Sequence, residues 1–283
     1  MRKWKNRESL TGLLFLLPSL LGVCLFVLIP FADVVRRSFA SAITEEWVGL
    51  KNYGNALGTL AFQLACRNTL RFLLCCMPPL LILSLLVGAF LQRERALGQE
   101  LKNAFLFPMA IPVASVALVW QALFHQNGLI NGLCVRFGAS PVNWMNSPAA
   151  FWVLVGSYLW KNLGYDIVLW MAGLSGIPEP LYEAARIDGA GEWTLFRKIT
   201  LPCLLPTFST VSLLSLLNSF KVFREAYLVA GDYPHESMYL LQHLFNNWFR
   251  DLSFDRMAAG AVMAALAVLA LIMPLELGLD KED

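Results

Sequence analysis

Six apolar runs, each long enough to cross a lipid bilayer, constrain this chain more than any other feature. A hydrocarbon core about 30 Å thick is spanned by about 20 helical residues. Runs of that kind occupy residues 11–34, 68–91, 103–124, 151–174, 201–222 and 257–277. The clearest are Gly12–Phe31 and Leu73–Phe90. The third carries Pro108 and Pro112, which membrane helices tolerate because neighbouring groups re-satisfy the freed carbonyls. The fold class expected is therefore all-α, a polytopic membrane protein with about six transmembrane helices. Six helices and their loops use nearly all of the 283 residues, so one transmembrane domain over 1–283 is expected and no separate soluble domain. Composition agrees. Charged residues make up 15% of the chain, against roughly a quarter in soluble domains.

Loop charge sets the expected orientation, because cytoplasmic loops are enriched in Lys and Arg. With the N-terminus inside, segments 1–10, 92–102, 175–200 and 278–283 hold 11 Lys and Arg in 53 residues. The outside segments 35–67, 125–150 and 223–256 hold 8 in 93 residues. Both termini are expected in the cytoplasm, although Arg36 and Arg37 count against it. A signal peptide competes for the first run, given the basic start (Arg2, Lys3, Lys5, Arg7) and Ala40-Ser41-Ala42. The run is longer than an ordinary signal core, and Asp33, Arg36 and Arg37 intervene before the small residues.

Other chemistry is sparse. A net charge of +2 implies no nucleic-acid partner. Cys24, Cys75, Cys76 and Cys203 fall in apolar runs, and a Cys66–Cys134 bridge has no support from spacing. No CxxC occurs, and His125, His235 and His243 lack ligand spacing, so no metal site is expected. No G-x-x-x-x-G-K-[ST] segment is present to cradle phosphates. Leu240, Leu241, Leu244, Phe245, Trp248, Phe249 and Leu252 recur at helical spacing, with Gln242, His243, Asn246, Asn247 and Arg250 between them. This reads either as an amphipathic helix at the outer interface or as an ordinary packing helix.

The most informative segment is the loop between the fourth and fifth runs, Gly176–Pro202. Pro180 suits the first turn of a helix, with Glu179 at the positive end of its dipole, and that helix runs to about Ile187. Gly189 and Gly191 permit a sharp turn. A second short helix starts near Glu192, carries Trp193, Phe196 and Ile199/Thr200 along one side, and ends at Leu201-Pro202. The product is a helical elbow in which Ala184 and Ala185 offer a small-residue surface rimmed by Glu183, Arg186 and Asp188. Docking to another protein and packing under its own bundle both remain open on these grounds.

Glu183-Ala184-Ala185, Asp188-Gly189-Ala190 and Ile199-x-Leu201-Pro202, at this place in the order of spans, resemble the EAA loop of binding-protein-dependent ABC importer permeases. Further segments resemble the carbohydrate-uptake branch: Val48-Gly-Leu-Lys-Asn-Tyr53, Asn68-Thr69-Leu70, Trp120-x-x-Leu123-Phe124, Gly128-Leu-Ile-Asn131, Trp160-Lys161 and Ala172-Gly173-Leu174. At Gly231-Asp232-Tyr233-Pro234 the chain departs from that branch's Gly-Gly-Pro segment. The resemblance implies a type I ABC importer permease fold in the cytoplasmic (inner) membrane. It implies a pore formed with a second permease, two ATP-binding cassette subunits below, and an extracellular solute-binding protein that delivers a sugar or related polyol. Monosaccharides, disaccharides, oligosaccharides and glycerol phosphates all fall within it. The elbow, through Glu183, Ala184, Ala185, Asp188, Gly189 and Ala190, would couple the permease to the ATPase. No cofactor is expected on this chain, and ATP would be used by the partner ATPase.

Ionisable groups inside spans are functional suspects. Lys161 with Asn162, and Asn218 with Lys221, are the candidate solute-path residues, with Trp160 and Phe220 alongside for stacking. Lys161 and Lys221 also lie far enough along their spans to snorkel to an interface. Arg71 reads as an interfacial anchor. A secondary transporter of a small polar solute is the alternative; against it, Asp33 and Asp166 are taken as edge residues, leaving no carboxylate mid-span for proton coupling. A membrane enzyme would need a nucleophile with its base or a metal cluster, and neither pattern occurs.

Overall fold

The computed structural model describes residues 2–93 and 104–277, and side chains except those of 2–11, 13 and 275–277. Segments 94–102 and 278–283, which enter the loop-charge comparison, lie outside the described residues, as do the side chains of Arg2, Lys3, Lys5 and Arg7. Among the described residues the regular structure is all helical, apart from one isolated bridge between Ala40 and Trp47. It divides into two compact units, Met1–Leu60 with Phe245–Leu269, and Ala61–Leu244 with Ala270–Asp283.

In the first unit, helices α1 (Arg2–Val23) and α2 (Ile29–Ser38) run together through a π-helical turn at Cys24–Leu28. Pro30 explains the turn. Proline has no amide to donate and crowds the carbonyl four residues back, and the chain absorbs this by widening one turn, so that the Ile29 amide reaches back five residues to the Cys24 carbonyl. No residue of the most apolar window within Leu14–Ser38 is buried within the chain; in a bilayer its solvent is hydrocarbon. Asp33 accepts from Arg36 at 3.2 Å and Arg37 at 2.6 Å, which offsets one of the two arginine charges. The segment that follows is tied down by asparagine. Nδ2 of Asn52, in α3 (Lys51–Gly58), donates to the carbonyls of Ser38 and Ala40, while Tyr53 shares a 2.7 Å bond with Ser38.

The second unit is organised around α8 (Ala149–Ser175). It contains α4 (Leu60–Arg93), α5 (Ala104–Ala110), α6 (Val113–Leu123), α7 (Leu129–Arg136), and the elbow helices α9 (Glu179–Ile187), α10 (Glu192–Leu195) and α11 (Leu201–Cys203). It also holds α12 (Leu205–Ser219) and α13 (Phe223–Ala230). Helices α14 (Leu241–Arg250) and α15 (Phe254–Leu277) continue from one unit into the other. Phe72, Leu80, Phe151 and Tyr158 form the centre of one buried cluster, and Leu91, Ile167 and Met171 extend it along α4 and α8. On another side of α8, Trp170 packs with Leu204 and Val211. Small residues permit the close crossings that membrane helices use. A side chain at Gly88 would stand 3.3 Å from the Cβ of Trp170, and one at Gly164 would overlap the backbone of Phe105. Polar pairs lock the registers: Trp170 donates to Ser84 at 3.0 Å, and Tyr158 donates to the Ser215 carbonyl at 2.6 Å.

Three helical stretches pass as spans by length and composition, Leu14–Ser38, Leu60–Arg93 and Phe254–Pro274, and two bent pairs bring the number to five. Helix α8 is the sixth long helix. At 27 residues it measures about 40 Å, but Lys161, Asn162 and Asp166 hold its hydropathy down. Three expectations need correction. The third run is not one helix, because α5 and α6 meet at 103° across Ile111-Pro112. The fifth run does not end at 222, because α12 continues through a 3₁₀ turn at Phe220–Val222 into α13 as far as Ala230, with a 66° bend at its start near Leu204. The second helix starts at Leu60, not 68. Hydropathy marks the membrane-embedded stretch, whereas the helix carries polar turns such as those of Gln63 and Arg67 beyond it.

The amphipathic reading of residues 240–252 also changes. His243 belongs to the expected polar face, yet it is fully buried, with Leu240 and Leu244 beside it. The Phe223 ring meets its imidazole edge-on at 4.8 Å and Tyr239 stacks on it at 5.7 Å. Nδ1 accepts from the Leu240 amide at 3.2 Å, so the neutral ring carries its proton on Nε2, which has no partner. Burial pushes the imidazole down to about 4, against a smaller upward pull from Asp232. The unfolded chain therefore binds more protons than the folded one between about pH 4 and 6.5, and stability falls as pH drops through that window. Thermal unfolding in detergent at pH 7 and pH 4.5 is expected to show a loss of about 2 kcal/mol at the acid end, and His243→Asn is expected to remove most of that pH dependence. An unchanged dependence in the variant would assign it to other groups.

Candidate functional site

The break between α5 and α6 opens a cavity. Pro112 cannot donate, and the bend sets Ala110, Ile111 and Pro112 along a space of about 370 Å³ between these residues, α8 and the α12–α13 helix. Irregular backbone at membrane depth is tolerated where it lines such a space. The volume lies in the range of small-molecule pockets, about 300–1,000 Å³.

Four of the five solute-path candidates line this cavity: Lys161, Asn162, Asn218 and Lys221. Asn162 and Lys161 come from adjacent positions on α8. Asn218 and Lys221 lie one turn apart across the 3₁₀ turn, and Lys221 donates to Asn218 Oδ1 at 2.7 Å. The fifth, Trp160, is elsewhere. It points into a second, apolar cavity of about 540 Å³ with Trp120, Phe124, Trp144 and Trp152, and it meets Trp120 edge-on at 6.2 Å. At about 100° per residue, Trp160 and Asn162 face nearly opposite ways on α8, and Lys161 between them turns to the Asn162 side. Phe220 does not line the cavity.

Two lining residues escaped the sequence reading. Glu225 and Arg224 lie in the stretch assigned to an outer loop, where hydropathy falls; the helix carries them on into α13. Glu225 is buried, and its Oε1 forms an ion pair with the ammonium of Lys161, whose side chain is 17% exposed. Lys161 therefore does not snorkel. Oε2 of Glu225 is buried without a partner. Asp166 was also misplaced. It lies well inside α8 and is fully buried. Ser215 donates to its Oδ2 at 2.7 Å, and its Oδ1 has no partner. The absence of carboxylates within spans thus fails as an argument against proton coupling. Arg71 lays its guanidinium 4.1 Å over the Phe151 ring, a cation–π contact that fixes an exposed charge against the bundle.

The elbow forms as its residues dictate. Helix α9 has Glu179 and Pro180 in its first turn and ends at Ile187. Gly189 takes φ +81°, the left-handed geometry that closes the turn. The Ala190 amide reaches back to the Ala185 carbonyl at 2.9 Å. Pro202 produces a second π-helical turn at Phe196–Thr200, by the mechanism seen at Pro30. Within the elbow, Tyr182 bonds Thr200 at 2.9 Å and Leu195 is buried. Trp193 departs from the side it was expected to share with Thr200, being exposed while Thr200 is buried. No residue of α9 is buried; Glu183, Ala184, Asp188 and Gly189 are exposed, and Ala185 and Ala190 are half-buried.

Residues 80–280 match the family described as binding-protein-dependent transport system inner membrane component. The chain belongs to that family. The permease is 31% identical over 289 aligned residues to the trehalose/maltose transport system permease protein MalF of Thermococcus litoralis, covering 99% of this chain and 98% of the relative. It is 30% identical to the arabinooligosaccharides transport system permease protein AraP of Bacillus subtilis, over 92% and 84% of the two chains. It is also 30% identical to the alpha-glucoside transport system permease protein AglF of Rhizobium meliloti, over 96% and 83%. Its fold matches a chain of a bacterial ABC transporter that imports the acidic polysaccharide alginate, with a TM-score of 0.78 at 22% identity over 98% and 97% of the chains. A second structure, of a bacterial alginate ABC transporter with an alginate pentasaccharide-bound periplasmic protein, gives 0.79 at 20% identity over 97% and 96%. The permease is thus an ABC importer subunit of the inner membrane with a polytopic all-α fold.

Proposed function

We propose that the permease forms half of a solute pore and that the cavity beside the α5–α6 break is its solute path. The observation that carries this is the gathering of Lys161, Glu225, Asn162 and Asn218 around one space within an otherwise apolar bundle. Polar groups are costly in such surroundings. The solute is a sugar or related polyol: the relatives at about 30% identity are permeases of carbohydrate systems, and the two asparagines of the cavity wall suit hydroxyl groups. A second permease completes the pathway, two ATP-binding cassette subunits lie below it, and an extracellular binding protein delivers the solute. The permease itself binds no cofactor, and ATP is hydrolysed by the partner ATPase. Both termini are cytoplasmic, on the loop-charge argument.

The elbow is the ATPase contact in this reading, through Glu183, Ala184, Ala185, Asp188, Gly189 and Ala190. A helix with no buried residue and exposed apolar side chains at Leu181 and Ile187 supports docking over self-packing. In vesicles holding the assembled transporter, Glu183→Lys and Gly189→Val are expected to abolish solute-stimulated ATP hydrolysis and uptake, while the permease still inserts and co-purifies with the second permease. Open space surrounds Gly189, so the valine acts through backbone strain of about 1–2 kcal/mol and contact with the partner. Normal coupling in both variants would remove the elbow from the mechanism.

A further inference from the structure

The charges around the cavity do not balance. Lys161, Lys221 and Arg224 line it with one carboxylate, Glu225. Glu225 is consumed by Lys161. Lys221 has only the neutral amide oxygen of Asn218, and Arg224 is exposed beside it, three residues further along the same helix. Three residues is one turn, so the two cations share a face and are neighbours. Both side chains are exposed, so they keep their hydration, but with Glu225 already paired they leave the cavity wall at a net positive potential that favours an entering anion. We infer that the solute carries an anionic group, and that Lys221 and Arg224 receive it while Asn162 and Asn218 address its hydroxyls. This rests on the cavity being the solute path. The class is an acidic sugar, bearing a carboxylate or a phosphate. A neutral sugar would leave the two cations uncompensated.

The test is saturation-transfer NMR on the assembled transporter in nanodiscs, without binding protein, using three probes: digalacturonate, glucose 6-phosphate and maltose. At low salt, one or both acidic probes are expected to bind about tenfold more tightly than maltose, which corresponds to one charge-assisted hydrogen bond. The preference shrinks as salt is raised. Lys221→Gln and Arg224→Gln should each reduce acidic-probe binding by about tenfold and maltose binding by much less. Digalacturonate and glucose 6-phosphate distinguish a carboxylate from a phosphate. Maltose binding as tightly as both acids, or acidic binding that survives both variants, overturns the inference while the cavity remains a sugar site. No saturable binding of any probe overturns the cavity reading with it. Loss of the second permease on co-purification of either variant also overturns the inference, because the cations would then be neutralised by that subunit.

Discussion

Glu225→Ala is expected to abolish uptake and to cost the permease about 3–5 kcal/mol of stability, the range for breaking a buried ion pair by removing one partner. The ammonium of Lys161 would be left in the cavity wall with 17% of its side chain exposed. Lys161→Met leaves the buried Glu225 carboxylate without its partner and is expected to destabilise as well. The double variant Lys161→Met/Glu225→Met separates structure from function. With both charges replaced by apolar groups the fold should recover most of its stability, as apolar replacement of buried pairs often does, while uptake stays lost. Thermal unfolding in detergent alongside vesicle uptake measures both. A double variant that transports normally would make the pair purely structural.

Gly164→Ala is the second large effect. A β-carbon there would lie 1.9 Å from the Phe105 carbonyl oxygen and 2.3 Å from its carbon. Backbone cannot swing aside as a side chain does, so α5 must move off α8, and α5 leads directly into the bend that shapes the cavity. The expected loss is at least about 3 kcal/mol, the upper range for overpacking a tight site, with uptake falling accordingly. Gly156→Ala is the control: it lies on the same helix with nothing within 4 Å, and is expected to be neutral or slightly stabilising through helix propensity. Equal behaviour of the two variants would mean that the α5–α8 crossing is looser than described.

How legible this was depended on which physics each segment answers to. The apolar runs mark what hydrocarbon demands, so α4 and α15 stand out in sequence. The elbow is local chemistry, and Pro180, Gly189 and Pro202 place it almost to the residue. The break at Ile111-Pro112 was not legible: Pro108 and Pro112 are both compatible with a continuous kinked helix, and only packing decides that Pro108 stays inside α5 while Pro112 ends it. Glu225 was hidden for a related reason. Hydropathy drops at Phe223-Arg-Glu-Ala226, which looks like the end of a span, but a helix needs no apolar residue where a partner charge waits. The signal that finds it is the helical spacing of Asn218, Lys221, Val222 and Glu225. Lys161 was identifiable as a suspect, but its partner, 64 residues away, was not. Trp160 shows the limit of adjacency, since neighbouring positions on α8 open onto different cavities.

The most direct test of the central claim, that the cavity is a water-accessible path gated by ATP, is thiol labelling of the assembled transporter. The six native cysteines, all free thiols, are first replaced by alanine or serine. Asn218→Cys and Asn162→Cys on the cavity wall, and Trp152→Cys on the aromatic side of α8, are then exposed to a charged, water-soluble thiol reagent without nucleotide and with ATP and vanadate. Labelling is expected at positions 218 and 162 with rates that change between the two states, and little labelling at 152 in either. Cavity positions that label no faster than Trp152→Cys, in both states, would contradict it.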